Sequence, residues 1–242
     1  MLFKRIVDRN MMHLDAKIFF YLESRLRAAG LDSDSESFDV IRRRLMCKDP
    51  LAPDEFARQV IYVVLAGGFS QKTAKKIHGK MMGFLVQNAA TGEGQMFEYL
   101  FQMLHNKNKI NAVIKIWEGR KQYRDGYYAI GKDSALEQKL DYLQSLPHIG
   151  KITANHLARN LGEDVVKYDI WIQRLGVAFA KGKDQRANSK LSGKIDNSDL
   201  DPDVKTACDD MFAHLVRETG LPRGYIDVVL WKACQNHMIE GI

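Results

Sequence analysis

Apolar residues recur at helical spacing along almost the whole chain, and no stretch shows the period-two alternation of a half-buried strand. A chain patterned this way buries its apolar stripes helix against helix, so the expected fold is all-α. The spacing predicts a helix over 13–29, with Leu14, Ile18, Tyr21, Leu22 and Leu26 on one stripe and Gly30 as its stop. After the polar run 31–37, a second helix carries Phe38, Ile41 and Leu45. Pro50 and Pro53 precede a helix over 54–66 that is apolar almost all round (Phe56, Val60, Ile61, Val63, Val64, Leu65), which marks it as the most buried one. It ends at Gly67-Gly68, and Ser70 is placed to cap the next helix. Lys72, Lys75, Lys76 and Lys80 follow along one flank; a solvated face is the plain reading and DNA contact the alternative.

Further on, Thr91–Gly94 marks a turn before a helix over 96–104, and 106–117 forms another with Ile110, Val113, Ile114 and Trp117 inward. Leu136, Leu140, Leu143 and Leu146 lead into a Pro/Gly turn. Beyond Phe179 a Gly-, Ser- and Lys-rich stretch is expected to be an exposed loop. Its basic residues, Lys181, Lys183, Arg186, Lys190 and Lys194, suit either DNA or plain solvent. Two helices, over 202–219 and 222–238, finish the pattern.

A hydrophobic fraction of 45% over 242 residues allows a sizeable core. The net charge of +6 permits a polyanionic partner without requiring one. No apolar run approaches the length of a bilayer span and the opening residues have no secretory core, so no membrane partner is expected and the expected location is the cytoplasm. Cys47, Cys208 and Cys234 are scattered and odd in number, which argues against a disulfide scaffold and reads as buried small hydrophobes. The 7 histidines show no ligand spacing, so no metal is expected.

The residues with most to say about chemistry lie between Leu146 and Phe179. Leu146-Pro147-His148-Ile149-Gly150 closes one helical pattern, and Lys151-Ile152-Thr153-Ala154 opens the next without a breaker. Such a turn offers unpaired N–H groups and the positive end of a helix dipole, which suit a phosphate, and Lys151 adds charge. It would hold a DNA backbone without reading sequence. A plain helix-to-helix connection is the other reading. About twenty residues on, Asp169 stands where an N-cap belongs, with Lys167 just before it. Asp is a common cap, so capping alone also explains it.

At these positions the chain resembles the helix-hairpin-helix DNA glycosylase superfamily. Leu146, Pro147, Gly150, Thr153 and Ala154 match its hairpin, and Asp169 matches its catalytic Asp. The resemblance implies a two-lobed all-α fold with the active site in the interlobe cleft. Residues 50–163 would be the central lobe, and 1–49 with 164–242 a discontinuous second one. It implies DNA contact at His148, Gly150, Lys151 and Thr153. A wedge would stand at Gly67-Gly68-Phe69-Ser70, with Phe69 and Ser70 against DNA, although a core Phe at a helix junction is the plainer reading. Members that also cleave the strand place a lysine directly before the Thr; here that slot is Ile152. Lys151 is turned by about 100° from it, so no lyase chemistry is expected there. Four closely spaced cysteines are missing, so no iron-sulfur cluster or other cofactor is expected.

Thr153, His156, Leu157, Ala158, Asn160, Leu161, Gly162, Lys167 and Asp169 further resemble one branch, the α-glutamyl/putrescinyl-thymidine pyrophosphorylases, or amino acid:DNA transferases, of phage DNA hypermodification. This implies transfer of an amine, an amino acid or a polyamine, onto an activated 5-hydroxymethyluracil in DNA, with Asp169 and Lys167 catalytic. Asp227, Trp231 and Arg174 are candidates for binding substrate. Tyr168 departs from the branch's Lys-Pro-Asp, and Trp171 from its His. The alternative is a glycosylase without lyase activity that excises a damaged or modified base. A third reading is a DNA-binding module without catalysis.

Overall fold

The computed structural model describes residues 14–33, 37–88, 92–131, 134–183, 195 and 200–239, and among them there are twelve helices and no strand. The chain divides into two compact units, Met1–Met46 with Asp164–Ile242, and Cys47–Glu163. No described helix is long and apolar enough to cross a membrane.

In the first unit, α1 (Ala16–Ala28) starts at Asp15, whose carboxylate accepts the Ile18 N–H at 2.8 Å. Its buried stripe is Phe19, Leu22 and Leu26. Tyr21, expected on that stripe, is exposed, because Phe19 sits one turn before Leu22 while Tyr21 falls about 100° to its side. The expected first residue, His13, lies outside the described residues. Helix α2 (Phe38–Cys47) buries Phe38, Ile41 and Leu45 and leaves Cys47 exposed, against the expectation of burial, since it ends the helix off that stripe.

Helix α10 (Ile170–Lys183) packs most extensively against α11 (Pro202–Thr219), and both pack on α12 (Arg223–Gln235), which is buried from Gly224 to Cys234 and also touches α1. Lys181 and Lys183 therefore belong to a helix and not to the expected loop; Arg186, Lys190 and Lys194 lie outside the described residues. Gly176 lets α10 and α11 meet: a Cβ there would come within 2.9 Å of the Cys208 backbone.

The second unit is built round α3 (Pro53–Ala66), which contacts α4 (Gln71–Gln87), α6 (Lys107–Glu118), α7 (Arg120–Ala129) and α9 (Lys151–Asn160). Pro53 at its first position, with Asp54 and Glu55, suits the donor-rich end. Every residue from Val60 to Leu65 is buried, which is the all-round burial expected of this helix. Helix α5 (Glu93–Met103) begins earlier than expected, with Thr91 outside the described residues. Asn106 caps α6 through the Lys109 N–H. Helix α7 has no sequence signal of the same strength: in RKQYRDGYYA only Tyr127 is buried, and Gly126 is needed because the Tyr142 hydroxyl occupies the place of a Cβ. Helix α8 (Leu136–Gln144) precedes the Pro/Gly turn and buries Leu143 and Lys139; the Lys139 ammonium lies 2.8 Å from Glu163.

Gly176→Ala is expected to destabilise the protein by about 1–3 kcal/mol, because it forces α10 and α11 apart; the shift in denaturant midpoint measures it. His78 gives a second expectation. It is buried against Tyr62, its Nε2–H donates to the Arg58 carbonyl at 3.1 Å, and burial pulls its pKa down to about 4. Between pH 6.5 and 4 the unfolded chain therefore takes up a proton that the folded one refuses, and stability falls as pH drops through that window. The loss should total about 3 kcal/mol, and His78→Gln should flatten the profile.

Candidate functional site

The segment that leads to Asp169 is pinned at three points. The Asp164 carboxylate accepts the Gly224 N–H at 2.8 Å, at the start of α12. One turn further along α12, Asp227, with 0% exposure, accepts the Lys167 N–H at 3.2 Å. The Tyr168 hydroxyl donates to Asp209 on α11 at 2.6 Å, and burial together with that carboxylate pushes the phenol's pKa up. Asp209 is also 2.6 Å from Lys205, whose ammonium faces the Tyr168 ring.

Pinned in this way, the segment delivers Asp169 to the start of α10. Its Oδ1 accepts the N–H groups of Trp171 and Ile172 at 3.1 and 3.2 Å, which is an N-cap. Its Oδ2 lies 3.3 Å from the Lys167 ammonium, and the two side chains are only 13% and 14% exposed. That ammonium also faces the Trp231 ring at 4.8 Å, a cation–π contact. Lys167, Asp169, Asp227 and Trp231 are thus brought together, with Asp227 under the backbone of Lys167. Arg174 lies over the Trp171 ring at 5.6 Å. Cys234 is buried here as well, and burial, with the Asp169 charge, raises its thiol pKa. Its pKa is moved away from thiolate formation.

The hairpin candidates form a second group, in the other unit. His148 adopts φ +64°, a left-handed turn conformation, and is exposed. Helix α9 starts at Lys151. The Gly150 N–H donates to the Thr153 hydroxyl at 2.7 Å, so this amide is already engaged. The N–H groups of Lys151, Ile152 and Thr153 have no hydrogen-bond partner among the described residues. Lys151 is exposed and Ile152 half-buried. Amides of this kind at a positive helix end can hold an anion. The matching residues downstream serve the fold: His156, Leu157, Ala158 and Asn160 are buried, and Gly162 at φ +101° closes α9 with Gly162 N–H to Arg159 and Glu163 N–H to Ala158 bonds.

The wedge candidates sit between α3 and α4. Ser70 caps α4 through the Thr73 N–H at 3.2 Å, and Phe69 is exposed. Phe69 is held from beneath by Lys109, which sequence reasoning missed. Its ammonium faces the Phe69 ring at 4.8 Å and donates to the carbonyls of Leu65 and Gly67 at the negative end of α3, and burial lowers its pKa. Tyr168 with Asp209 and Asp164 with Gly224 were also missed. Lys205 and Asp209 read as an ordinary i,i+4 surface pair, and nothing local says that a tyrosine far back in the chain uses it. Among the described residues no group of His, Cys, Asp or Glu could hold a metal ion.

No family model and no curated protein matches the chain. Solved structures do. The 8-oxoguanine glycosylase/lyase of Methanocaldococcus jannaschii, in complex with a 15mer DNA containing 8-oxoguanine, is similar over 89% of this chain and 95% of its own, with 15% identity and a TM-score of 0.56. The 8-oxoguanine DNA glycosylase of the same organism is similar over 93% and 96%, with 13% identity and a TM-score of 0.59. That of Thermotoga maritima is similar over 89% and 94%, with 15% identity and a TM-score of 0.58. The chain therefore has the all-α helix-hairpin-helix DNA glycosylase fold expected from its sequence.

Because Asp169 both caps α10 and carries the ion pair, two substitutions separate the roles. Asp169→Ala should lower stability by about 1 kcal/mol through loss of the cap, and Asp169→Asn, an equally good cap, by no more than a few tenths. Thermal unfolding of the two variants checks this.

Proposed function

We propose that this chain acts on a base in DNA, and that it exchanges the phosphate or pyrophosphate of an activated 5-hydroxymethyluracil for an amine at Asp169. Support for DNA as partner comes from the fold, which is that of proteins described as DNA glycosylases, one of them bound to DNA, and from the free amides at the start of α9. The observation that carries the choice of chemistry is the Lys167–Asp169 pair at 3.3 Å. An amine arrives as an ammonium and must lose a proton, while the leaving group departs as an anion. A carboxylate and an ammonium side by side meet both demands. In a base excision the charge that develops is a cationic sugar, and an ammonium this close to the carboxylate would oppose it.

In the step proposed, Asp169 takes the proton of the incoming ammonium, and the amine lone pair forms a C–N bond to the methylene carbon. The C–O bond to the phosphate breaks, its electron pair leaves with the phosphate oxygen, and Lys167 pairs with the departing anion. The glycosidic bond stays intact. Trp231 positions Lys167 from one side and Asp227 holds its backbone from another. Ile152 in the slot before Thr153 leaves no amine there to form a Schiff base. The second reading is a glycosylase without lyase activity: the fold neighbours, described as DNA glycosylases and one of them also as a lyase, favour its glycosylase part, and only Ile152 before Thr153 speaks for the absence of lyase chemistry.

Incubation with an oligonucleotide bearing phosphorylated 5-hydroxymethyluracil and an amine, followed by digestion to nucleosides and mass spectrometry, separates them. An intact, heavier thymidine derivative is the expected product. Asp169→Asn should slow its formation by about 10²–10⁴-fold with DNA affinity retained. Abasic sites in place of that nucleoside would establish the glycosylase reading instead.

A further inference from the structure

Helices α4 and α5 enclose an open groove of about 860 Å³ that the chemistry above does not use. Across it the rings of Phe84 and Tyr99 stack with centroids 4.0 Å apart and planes 14° from parallel. Phe84 is half-buried, whereas Tyr99 is 46% exposed, a large aromatic surface to leave in water. Lys76 and Lys80 line the groove one helical turn apart, both exposed and in no ion pair among the described residues. The side chains of Gln87 and Gln102 line it too, and no acidic residue does. Gly79 and Gly83, again one turn apart, leave the α4 side open: a Cβ on either would meet nothing within 4 Å.

This combination has a definite chemical complement. A flat aromatic surface takes the face of a base, ammonium groups take phosphates, and amide side chains donate to or accept from base edges. The positive, acid-free lining selects a polyanion. The bases of a duplex are stacked on one another and have no free face to lay on the Tyr99 ring, so the strand must be single. We propose that the α4–α5 groove is a binding site for single-stranded nucleic acid, with a base on the Phe84–Tyr99 stack and the flanking phosphates at Lys76 and Lys80. The site stands independently of Asp169 and gives a use to Lys76 and Lys80 of the α4 flank, which the reaction at Asp169 leaves without one.

The test uses the full chain and a fluorescent oligodeoxythymidine with one 5-bromodeoxyuridine at its centre. Anisotropy gives the affinity, and ultraviolet crosslinking followed by peptide mapping gives the place. Tyr99→Ala should weaken binding about ten-fold. Replacing Lys76 or Lys80 by Ala should each lower the slope of log affinity against log salt by about 0.7. Gly83→Leu fills the groove with a better helix former, so the fold should hold while strand binding is lost. The crosslink should map to the peptide that contains Tyr99, and Asp169→Asn should leave all of this unchanged. Unaltered affinity in both Tyr99→Ala and Gly83→Leu, or crosslinks confined to other peptides, would overturn the site. Competition by thymidine monophosphate at the strand's own concentration would overturn the assignment to a strand, since the groove would then be a mononucleotide pocket.

Discussion

A carboxylate with no exposed surface, Asp227, accepts the backbone N–H of Lys167, and the geometry around Asp169 depends on that bond. The segment from Asp164 to Asp169 has no regular structure of its own. Its conformation is set by what it touches: Asp164 on the first turn of α12, Asp227 under Lys167, and Asp209 on Tyr168. With those contacts made, the Lys167 ammonium rests between the Trp231 face and Oδ2 of Asp169. A buried acid that binds a backbone amide gives up a costly solvation shell, and such groups mark places where a segment must hold one position.

Asp169 shows how a structural role and the proposed chemical one can share one side chain. Oδ1 satisfies the first turn of α10 and so fixes the plane of the carboxylate; Oδ2 is thereby directed at Lys167. Capping and chemistry are alternatives when the sequence alone is read, but the two oxygens allow both. The hairpin divides in the same manner. Lys151 and the amides of the first turn of α9 face outward, while His156, Asn160 and Gly162, which share one sequence pattern with them, are used in packing and in ending the helix. A match to a motif thus mixes residues that face outward with residues that the fold itself uses.

Much of the architecture was legible in local chemistry. Ser70, Asn106 and Pro53 start helices as their side chains dictate, Gly162 ends one, and the all-round apolar run of α3 is buried all round. Asp169 was legible as a helix start with a cation beside it. What escaped depends on partners far apart in sequence. Tyr168 gives no sign of Asp209, Lys109 gives none of the Gly67 carbonyl or of Phe69, and α7 has too few apolar residues to show a stripe. Tyr21 and Cys47 were misjudged because composition suggests burial, whereas the angle round the helix decides it. The engaged amide of Gly150 was missed since its acceptor, the Thr153 hydroxyl, also reads as a ligand for phosphate.

The proposed transfer and a base excision differ in which bond breaks. The most direct measurement is a single-turnover reaction on DNA whose modified base carries radiolabelled phosphorus on the 5-methylene oxygen. In the proposed reaction the label is released as free phosphate or pyrophosphate in step with amine incorporation, and both stop together in Asp169→Asn. Label released on a free base, with an abasic sugar left in the strand, would contradict it.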